Sequence, residues 1–569
     1  MSPESMLDQS RQHDTVLRAI EAWAVRSPQA IALECGGERL TYRQLIHAAR
    51  LVAADLRRQG VGAETVVGVP VSRSLDTVVA VIGVLLAECA YTPVALDRDF
   101  TGVKVSHQTA AQAVRSALAN ETVSAPAPAS AFESPPGLAY VMPTSGSTGD
   151  SKLVRVSHAN LVAATTALGQ ALPAITPGDI YLHYAAFTFS SAVRQLFLPL
   201  CSGARVLVAT EAERLDPAAL LARITASGVT VLDLIPSVLA LLIDTLEQHD
   251  GGRTVVSDSV RLVLLASEPL PARLAEQWFV VSGSQAQLHN MYGLTETAGI
   301  VSTYQVVPGS HQQGGFLPIG QPVDGTLIDL VGDAQSPTEE GEITITGPSV
   351  MFGYEDGPPT AGNSFRTGDL GRRRPDGLLE LVGRLDSQVK IRGYKVDTAE
   401  VESALKGHRL VTEAAVCDVP DQAGASRLFA LVGLRGEIDV AELRTFLLEQ
   451  MPAHHVPQEI FATTAMPRTA SGKIDRAAVA AELRAQVSTP STAVDVSRDV
   501  AAIWTEVLGR AVGPGDNFFT SGGSSLAAAK VITRIRRHVT PLATIRTMFQ
   551  FPTLQRFTQE VDRLTRCGD

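Results

Sequence analysis

Cysteines are few and irregularly spaced in this sequence. The 569 residues include five, and no two of them form a C-x-x-C pair. Neither a disulfide framework nor a zinc site is therefore indicated. The polar N-terminus, MSPESMLDQSRQHD, lacks the apolar core of a secretory signal, and no apolar run is long enough to span a bilayer. We expect a cytoplasmic protein.

An excess of positive charge is also absent. The net charge is -11, which argues against general nucleic-acid or anionic-membrane binding, although a local basic patch could still bind a polyanion such as ATP. Apolar residues make up 45% of the chain and charged residues 19%, as in folded soluble proteins. At 569 residues the chain is too long for one hydrophobic core, so several domains are expected.

Two stretches alternate apolar segments with amphipathic ones. Residues 67–93 and 180–209 both contain apolar runs followed by a helical pattern, such as VVGVPVS before LDTVVAVIGVLLAE. This alternation predicts parallel sheets covered by helices. From residue 341 the segments become shorter, as in GEITITG and GLLELVGR, which is typical of antiparallel strands joined by tight turns. The predicted fold class is α/β with several domains.

Changes of composition divide the chain. We predict a large N-terminal part over residues 1–385, a smaller α+β part over 386–487, a polar linker over 488–497 and a helical unit over 498–569. In the helical unit, three segments have apolar residues three to four apart. Proline and serine around residues 125–136 mark a loop inside the large part.

A loop rich in glycine and hydroxyl residues follows an apolar segment. Residues 144–152, TSGSTGDSK, come after LAYVM and end in a lysine. Such a loop lets backbone N–H groups and hydroxyls approach phosphate oxygens while the lysine balances charge. An ordinary glycine–serine turn is the alternative for an isolated match. The loop is not a Walker A loop, because it lacks the GxxxxGK[ST] pattern.

Four further motifs follow this loop along the chain. They are NMYGLTE at 290–296, FRTGDL at 365–370, GRLDSQVKIRGYKV at 383–396 and SGKIDR at 471–476. With the loop, they closely resemble the core motifs of the adenylate-forming superfamily, specifically adenylation domains of nonribosomal peptide synthetases. The resemblance extends from Leu40 to Arg476. It implies large N-terminal αβ subdomains, a small mobile α+β C-terminal subdomain, and the use of ATP and Mg²⁺ to form an acyl-adenylate.

The resemblance assigns roles to these motifs. Thr295 would lie near the α-phosphate and Glu296 would help hold Mg²⁺. Asp369 would accept hydrogen bonds from the ribose hydroxyls, as a fixed carboxylate can, and Arg384 would add a ribose contact. The loop residues implied in binding ATP are Thr144, Ser145, Gly146, Ser147, Thr148, Gly149 and Lys152. The residues implied at the adenine are Asn290 and Tyr292.

The last motif supplies a lysine that the resemblance makes catalytic. Lys473 would reach the reacting carboxylate and the ribose, where negative charge accumulates. Outside its motif, a single lysine would be an ordinary solvated charge. Asp386 occupies the hinge position of the family. Rotation there would withdraw Lys473 after adenylation and bring the 383–396 segment, including Gly393, towards an incoming thiol.

The helical unit contains a second signature. DNFFTSGGSSLAAAK at 516–530 resembles peptidyl carrier domains, which are four-helix bundles. By this match Ser525, rather than Ser524, carries the 4′-phosphopantetheine arm. An ordinary helix N-cap is the alternative, since serine is favoured there too, and a helix start also favours a phosphodiester electrostatically. FQFPTL at 549–554 matches the same carrier pattern.

The carrier implies partners. A phosphopantetheinyl transferase would modify Ser525. Because no condensation or thioesterase segment follows, we expect the acyl group to pass to a condensation or other synthetase domain in trans, so that the chain starts or feeds a nonribosomal peptide pathway. A small MbtH-like activator protein is a further partner that the resemblance leaves open.

The substrate position departs from the family pattern. Most amino-acid-activating relatives have an aspartate, which pairs with the substrate's α-ammonium, where this chain has Ser190. A neutral hydroxyl cannot replace that charge-assisted pairing. We therefore expect an acid without an α-ammonium: a hydroxy, keto, aryl or dicarboxylic acid, or a β-amino acid. The same alignment places around the acyl pocket Ser191, Arg194, Asp233, Val263, Leu265, Met291, Gly299 and Ile300.

Arg194 and Asp233 leave two interpretations open. If they pair with each other, they form a polar wall, because buried charges need partners. If they face the substrate, Arg194 could hold a carbonyl or a second carboxylate, or Asp233 could hold a displaced amine. The sequence is compatible with both arrangements.

Three other functions compete with this hypothesis. They are an acyl-CoA ligase, a didomain that activates an ordinary α-amino acid, and a catalytically silent docking platform. The fused carrier argues against the first and Ser190 against the second. Retention of the four key residues of the nucleotide motifs argues against the third; these are Lys152, Glu296, Asp369 and Lys473. Two departures remain: GDSKL replaces the usual loop flank, and the segment between YTPVALD and LAYVM is shorter than in the family.

Overall fold

The structure is a computed structural model of the chain. It describes residues 15–63, 65–95, 102–119, 137–144, 152–249, 258–282, 286–309, 315–332, 339–385, 388–391, 394–408, 410–420, 426–435, 440–452, 454–463, 466–468, 474–487, 500–510, 512–523, 525–538 and 543–568.

The described strands are β1 (Ile31–Cys35), β2 (Glu38–Thr41), β3 (Val66–Val71), β4 (Ala90–Ala95), β5 (Leu138–Thr144), β6 (Lys152–Ser157), β7 (Ile180–His183), β8 (Arg205–Val208), β9 (Val231–Leu234), β10 (Leu262–Leu265), β11 (Gln287–Leu294), β12 (Gly299–Val306), β13 (Gln321–Pro322), β14 (Leu327–Val331), β15 (Glu340–Thr346), β16 (Gly353–Tyr354), β17 (Ser364–Arg373), β18 (Leu379–Arg384), β19 (Gln388–Ile391), β20 (Tyr394–Asp397), β21 (Val411–Pro420), β22 (Ser426–Leu434) and β23 (Glu459–Thr463).

The described helices are α1 (Val16–Arg26), α2 (Tyr42–Arg58), α3 (Leu75–Leu86), α4 (His107–Ala119), α5 (His158–Ala171), α6 (Ser190–Cys201), α7 (Glu211–Leu215), α8 (Pro217–Ser227), α9 (Pro236–His249), α10 (Ala272–Ser282), α11 (Thr398–Lys406), α12 (Val440–Leu448), α13 (Arg476–Val487), α14 (Val500–Leu508), α15 (Ser525–His538), α16 (Ile545–Gln550) and α17 (Leu554–Gly568). Two 3₁₀ turns span Thr295–Thr297 and Ala361–Asn363.

The largest sheet has nine strands in the order β13-β12-β11-β10-β9-β7-β8-β1-β2. Its central strands, from β11 to β1, are parallel, whereas β12, β13 and β2 add antiparallel edges. The carboxyl ends of parallel strands meet along one edge of a sheet, where α/β proteins bind ligands. Asp233 near the end of β9 and Thr295 just after β11 both lie at this edge.

The predicted parallel sheets are confirmed. The first alternating stretch forms β3, α3 and β4, and the second forms β7, α6 and β8; in both, the two strands pair in parallel. The strands β3 and β4 belong to a second sheet, with the order β16-β6-β5-β4-β3. Strands such as β9 and β10 are buried along their whole length, because helices cover both faces of the sheet. The sequences of these strands are therefore almost continuously apolar and do not alternate between apolar and polar residues.

The antiparallel region is also as predicted. GEITITG forms most of β15 and GLLELVGR most of β18, within a sheet of order β14-β15-β17-β18. After this sheet come β19 to β23 and α11 to α13, which have their own core around residues such as Val396, Val401 and Leu431. The division at residue 386 stays a prediction.

The C-terminal unit is a bundle of α14, α15, α16 and α17 around Trp504, Phe518 and Phe557. The periodicity of the sequence identified three of these helices. The fourth, α16, has six residues, too few for a repeat of 3.6 residues to be recognised. The predicted loop at 125–136 and linker at 488–497 lie outside the described residues. Among the described residues, no helix combines the length and apolar character needed to cross a membrane.

A glycine allows α2 and α3 to approach each other closely. A Cβ atom added to Gly83 would lie 2.6 Å from the Val52 Cβ and 2.9 Å from the Ala49 carbonyl oxygen. Alanine is normally preferred to glycine inside a helix by about 0.5–1 kcal/mol. At this crossing the preference must reverse, because the facing atom of Ala49 belongs to the backbone of a buried helix.

We expect Gly83→Ala to lower the free energy of unfolding by about 1–3 kcal/mol, the usual cost of overpacking. Chemical denaturation measures this. Gly62→Ala is the control, because a Cβ there meets nothing within 4 Å. A Gly83→Ala protein as stable as the control would contradict the close approach of the two helices.

Candidate active site

The predicted phosphate loop connects β5 to β6, which pair in an antiparallel hairpin. Thr144 and Lys152 are opposite each other in this pairing, and the Thr144 hydroxyl donates to the Lys152 carbonyl oxygen at 3.1 Å. The hairpin therefore holds the two ends of the loop together. Outside the described residues lie Ser145, Gly146, Ser147, Thr148 and Gly149.

A tyrosine links the lysine of this loop to the predicted magnesium ligand. The Lys152 Nζ lies 5.4 Å from the centroid of the Tyr354 ring, and the Tyr354 hydroxyl donates to Oε1 of Glu296 at 3.1 Å. Burial and the Glu296 carboxylate raise the pKa of Tyr354. The phenol therefore stays protonated and keeps donating. No sequence pattern marks Tyr354, because only the pairing of β16 with β6 brings it to this place.

The surroundings of Glu296 fit a carboxylate that binds a magnesium ion together with the phosphates of a nucleotide. It is buried in the 3₁₀ turn after β11, and its backbone carbonyl accepts from the Met351 N–H at 2.9 Å. Within the described part of the chain, Oε2 forms no hydrogen bond. Mg²⁺ in nucleotide sites is commonly held by one or two carboxylates together with substrate phosphates. One fixed carboxylate with a free oxygen fits that arrangement.

The predicted ribose and adenine residues lie next to one another. Asp369 on β17 is 1% exposed, and its Oδ2 accepts from the Tyr292 hydroxyl at 2.6 Å. Arg384, opposite Asp369 on β18, forms an ion pair with Oδ1. Burial and the Asp369 carboxylate raise the pKa of Tyr292, so this phenol also remains a donor. The Asn290 amide donates to the Pro318 carbonyl at 2.7 Å, which fixes that side chain.

Several residues of the predicted acyl pocket lie on one face of the nine-stranded sheet. Met291 and Ile300, both predicted pocket residues, belong to an apolar cluster on that face, with Leu264 and Ala266. Gly299 borders open space, since a Cβ built on it meets nothing within 4 Å. Its φ of 142° is a conformation that other residues rarely adopt.

Two of the predicted pocket residues lie apart from the others. Val263 and Leu265 belong to a different apolar cluster, on the opposite face of the sheet from Met291 and Ile300. Successive side chains of a strand point to opposite faces, so a shift of one residue in an alignment moves every side chain to the other face. Leu264 and Ala266 are the residues of this segment that share a cluster with Met291 and Ile300.

The polar wall of the pocket is an ion pair. Arg194 contacts Asp233 with two hydrogen bonds, from Nε to Oδ2 at 2.9 Å and from Nη2 to Oδ1 at 2.7 Å. The Tyr181 hydroxyl adds a third bond to Oδ2 at 2.7 Å. The sequence left two interpretations open, and the structure shows the first: Arg194 and Asp233 pair with each other. Burial by itself lowers the pKa of Arg194, but the Asp233 carboxylate raises it further, so the net shift is upward.

Ser190 and Ser191 are the first two residues of α6, one turn before Arg194. The Ser190 hydroxyl is 3.0 Å from the Thr295 hydroxyl. Ser190 stands where most amino-acid-activating relatives have an aspartate, and Thr295 is the residue predicted near the α-phosphate, so these two positions are in contact. The aromatic ring of Phe189, just before α6, is 5.2 Å from the Tyr394 ring, and Tyr394 in turn stacks on His454. Tyr394 belongs to the smaller α+β part. This stack therefore connects that part to the acyl pocket.

Three predicted residues of the moving part are not described. Asp386, Gly393 and Lys473 lie outside the described residues. Their roles as hinge, thiol-facing position and catalytic lysine stay predictions.

The carrier contacts both other parts of the chain. The Lys530 Nζ on α15 lies 3.1 Å from Oδ2 of Asp244 on α9. On the other side, the Gln458 side chain donates to the Leu508 carbonyl at 2.8 Å, and Arg444 donates to the Thr520 carbonyl. Thr520, before the beginning of α15, therefore contacts the smaller α+β part, and Lys530, within α15, contacts the large part.

A cavity of about 420 Å³ opens where the three parts meet. It is lined, among others, by Tyr184, Ile235, Tyr394, Arg444, Phe519 and Gly523. Gly523 must be glycine, because a Cβ there would lie 2.5 Å from the Phe518 carbonyl oxygen and closer still to its ring. The cavity borders the two glycines that precede α15, so it lies beside the predicted attachment residue, Ser525, at the beginning of that helix.

Family models match most of the chain. "AMP-binding enzyme" matches residues 20–134 and 101–355, "AMP-binding enzyme C-terminal domain" matches 400–473, and "Phosphopantetheine attachment site" matches 498–561. The chain belongs to the AMP-binding enzyme family. Its members are AMP-forming ligases, which use ATP and Mg²⁺, and the C-terminal unit is a carrier domain for 4′-phosphopantetheine.

Relatives and solved structures are similar to this chain over nearly its whole length. The chain is 31% identical to tyrocidine synthase 3 of Brevibacillus parabrevis over 94% of its length and 28% identical to bacitracin synthase 2 of Bacillus licheniformis over 96%, but covers only 9% and 22% of those proteins. Holo-PA1221, "an NRPS protein containing adenylation and PCP domains", shares the fold with a TM-score of 0.78, 22% identity and 98% coverage of each chain. The chain therefore combines an AMP-binding enzyme with a C-terminal phosphopantetheine carrier domain, and it is similar to parts of these much longer synthetases.

Tyr354→Phe should weaken the binding of MgATP. Removing a hydrogen bond to a charged group costs about 1.5–3 kcal/mol, so we expect the affinity to fall about tenfold and more Mg²⁺ to be needed for saturation. Thermal shift across a series of Mg²⁺ concentrations at fixed ATP measures this without knowledge of the acid.

Tyr140→Phe is the matched control. The Tyr140 hydroxyl is buried on β5 without a hydrogen-bond partner among the described residues, so its removal should leave MgATP binding unchanged. Equal effects of the two substitutions would show that the bond to Glu296 has no role in binding the metal–nucleotide complex.

Proposed function

We propose that the chain activates a carboxylic acid as an acyl-adenylate and transfers the acyl group to its own carrier domain at Ser525. The observation that carries this proposal is the position of the carrier, which contacts both adenylation parts beside a cavity that reaches Tyr394. A carrier held there needs no second chain for loading.

In the first reaction a carboxylate oxygen of the acid attacks the α-phosphorus of ATP, the bond to the β-phosphate breaks, and pyrophosphate leaves. Lys152 and the loop after Thr144 would bind the β- and γ-phosphates, and Glu296 would hold Mg²⁺, which neutralises charge on these oxygens. Lys473 would bring positive charge to the reacting carboxylate. Asp369, oriented by Tyr292 and Arg384, would accept from the ribose hydroxyls.

The second reaction transfers the acyl group from AMP to sulfur. The 4′-phosphopantetheine group on Ser525 supplies the thiol when it is bound. Tethering raises the effective concentration of the thiol at the adenylate. The contact of Tyr394 with Phe189 supports an arrangement in which the 383–396 segment faces the acyl pocket, and rotation at Asp386 would then bring Lys473 back for the next adenylation.

The acid is proposed to lack an α-ammonium. Ser190 offers a hydroxyl already engaged with Thr295 at 3.0 Å, and a hydroxyl cannot balance a buried ammonium charge. Hydroxy, keto, aryl and dicarboxylic acids and β-amino acids remain as substrate classes. A phosphopantetheinyl transferase, a downstream synthetase domain in trans and an MbtH-like activator are proposed as partners, and the cytoplasm as the location.

Intact-mass measurement of the phosphopantetheinylated protein with ATP and a panel of acids tests loading. We expect one acyl mass to be added to the wild type and none to Ser525→Ala, which should keep ATP–pyrophosphate exchange because adenylation does not need the carrier thiol. Thr520→Ala, in the same loop, should load normally. Acyl transfer to Ser525→Ala would refute the proposed attachment site, and exchange unaffected by Lys473→Ala would refute the role of that lysine.

The contact between Lys530 and Asp244 should assist loading. Partly exposed ion pairs contribute about 0.2–1 kcal/mol, so we expect Lys530→Glu to slow single-turnover loading about two- to fivefold. The double variant Lys530→Glu with Asp244→Lys should recover most of the rate. Arg563→Glu, which changes an exposed charge within the carrier, is the control. Failure of the double variant to recover would mean that the two residues do not act as a pair.

A further inference from the structure

We propose that Arg194, Asp233 and Tyr181 form a charge-neutral recognition element in the acyl pocket. It selects acids that, apart from the reacting carboxylate, are uncharged and carry an oxygen acceptor, a keto or hydroxyl group. It rejects acids with a second charge, namely diacids and β-amino acids. This inference rests on the proposed function and narrows its substrate class. It makes Arg194 the specificity-determining residue of the acyl pocket, with Asp233 and Tyr181 as the residues that position it.

The Asp233 carboxylate is not available to a substrate amine. It is completely buried, and three donors occupy its two oxygens, two from Arg194 and one from Tyr181. An ammonium group could use Asp233 only by displacing Arg194 and leaving a buried guanidinium unpaired, which is strongly unfavourable. Gln195, the next residue on α6, donates to the Asp233 backbone carbonyl at 2.9 Å, so the strand is held in place as well.

Arg194 still has donors to offer. A guanidinium carries five N–H groups, and Asp233 takes one from Nε and one from Nη2. In the part of the chain that the structure describes, Nη1 forms no hydrogen bond and is not among the buried polar atoms that lack a partner. Arg194 lies four residues after Ser190 on α6, hence on the same face of that helix. Its free donors and the Ser190 hydroxyl therefore border the same space.

The charge of the pocket decides which acceptor suits these donors. Asp233 cancels the charge of Arg194, and His183, the neighbouring titratable group on β7, has its pKa lowered to about 3 by burial and is neutral. Leu264, Met291 and Ile300 supply the surrounding apolar wall. A second carboxylate or an ammonium would bring an uncompensated charge into this space, at a desolvation cost that one hydrogen bond does not offset. A neutral oxygen acceptor gains the hydrogen bond without that cost.

Two matched series of acids test the inference by ATP–pyrophosphate exchange. The first is butanoate, 4-hydroxybutanoate, succinate and 4-aminobutanoate, and the second is benzoate, 3-hydroxybenzoate, isophthalate and 3-(aminomethyl)benzoate. Lactate, pyruvate, alanine and β-alanine complete the panel. In the wild type we expect each neutral acid with an oxygen acceptor to exceed its charged partner in kcat/KM by about tenfold or more. A preference for succinate, isophthalate or an amino acid would overturn the inference.

Substitutions at the pair should redirect this preference. Asp233→Asn leaves Arg194 uncompensated and should shift the ratio of diacid to hydroxy acid upward by about tenfold or more. Arg194→Met leaves Asp233 uncompensated and should favour the amino-substituted acids instead. The double variant Arg194→Met with Asp233→Leu removes both charges, a change that proteins tolerate well, and should lose the advantage of hydroxy acids over butanoate and benzoate while still rejecting charged acids.

Arg261→Met is the matched control. Arg261 forms a similar two-bond ion pair with Asp179, which also accepts from a Thr230 hydroxyl, at the other end of the same strands. It should lower stability as the pocket variants do but leave the preference among acids unchanged. A similar change of preference in the control, or none in any pocket variant, would refute the role of Arg194.

Failure of the proposed function gives a different result. If folded wild-type protein exchanged no acid of the panel and loaded none onto Ser525, the activity itself would be refuted, and the inference with it. If acids exchanged but the charged ones were preferred, the activity would stand and only the neutral pocket would fail.

Discussion

The parallel core of the nine-stranded sheet is the constraint on which the site depends. Because its central strands run in the same direction, their carboxyl ends lie along one edge, and the residues that end β9, β10 and β11 become neighbours. Asp233, Ala266 and Thr295 are far apart in the sequence but are neighbours along this edge of the sheet. Helix α6 packs against this edge with Ser190 and Arg194, one turn apart, which contact Thr295 and Asp233 respectively. The topology therefore makes the proposed acyl pocket and the proposed α-phosphate position neighbours.

Buried carboxylates need donors, and here the donors follow one pattern. Asp233, Glu296 and Asp369 each accept a hydrogen bond from a tyrosine: Tyr181, Tyr354 and Tyr292 respectively. Burial and the adjacent carboxylate raise the pKa of all three phenols. A protonated phenol donates a hydrogen bond without adding charge, so these bonds orient Glu296 and Asp369 without neutralising them, as their proposed roles at magnesium and ribose require. At Asp233 a guanidinium is added, and the local charge falls to zero.

The carrier unites the three parts of the chain. It contacts the large part through Lys530 and the small part through Leu508 and Thr520, and it borders the shared cavity with Gly523. Each contact is polar and partly exposed, so each is weak. Weak contacts suit the proposed function, in which the carrier would leave this position after loading. The aromatic contact between Tyr394 and Phe189 belongs to the same arrangement and joins the small part to the acyl pocket.

The sequence by itself determined the family, the order of the domains, and the parallel and antiparallel regions, and it predicts the nucleotide residues, because these depend on contiguous motifs and local periodicity. It does not mark Tyr181 and Tyr354, which only sheet pairing brings near the predicted site residues. It groups Val263 and Leu265 with Met291, although they lie on the opposite face of the sheet, because a strand motif without spatial reference does not fix which face each residue occupies. Only the tertiary structure decided that Arg194 pairs with Asp233, since residues on a helix and on a strand meet only when the helix packs on the sheet.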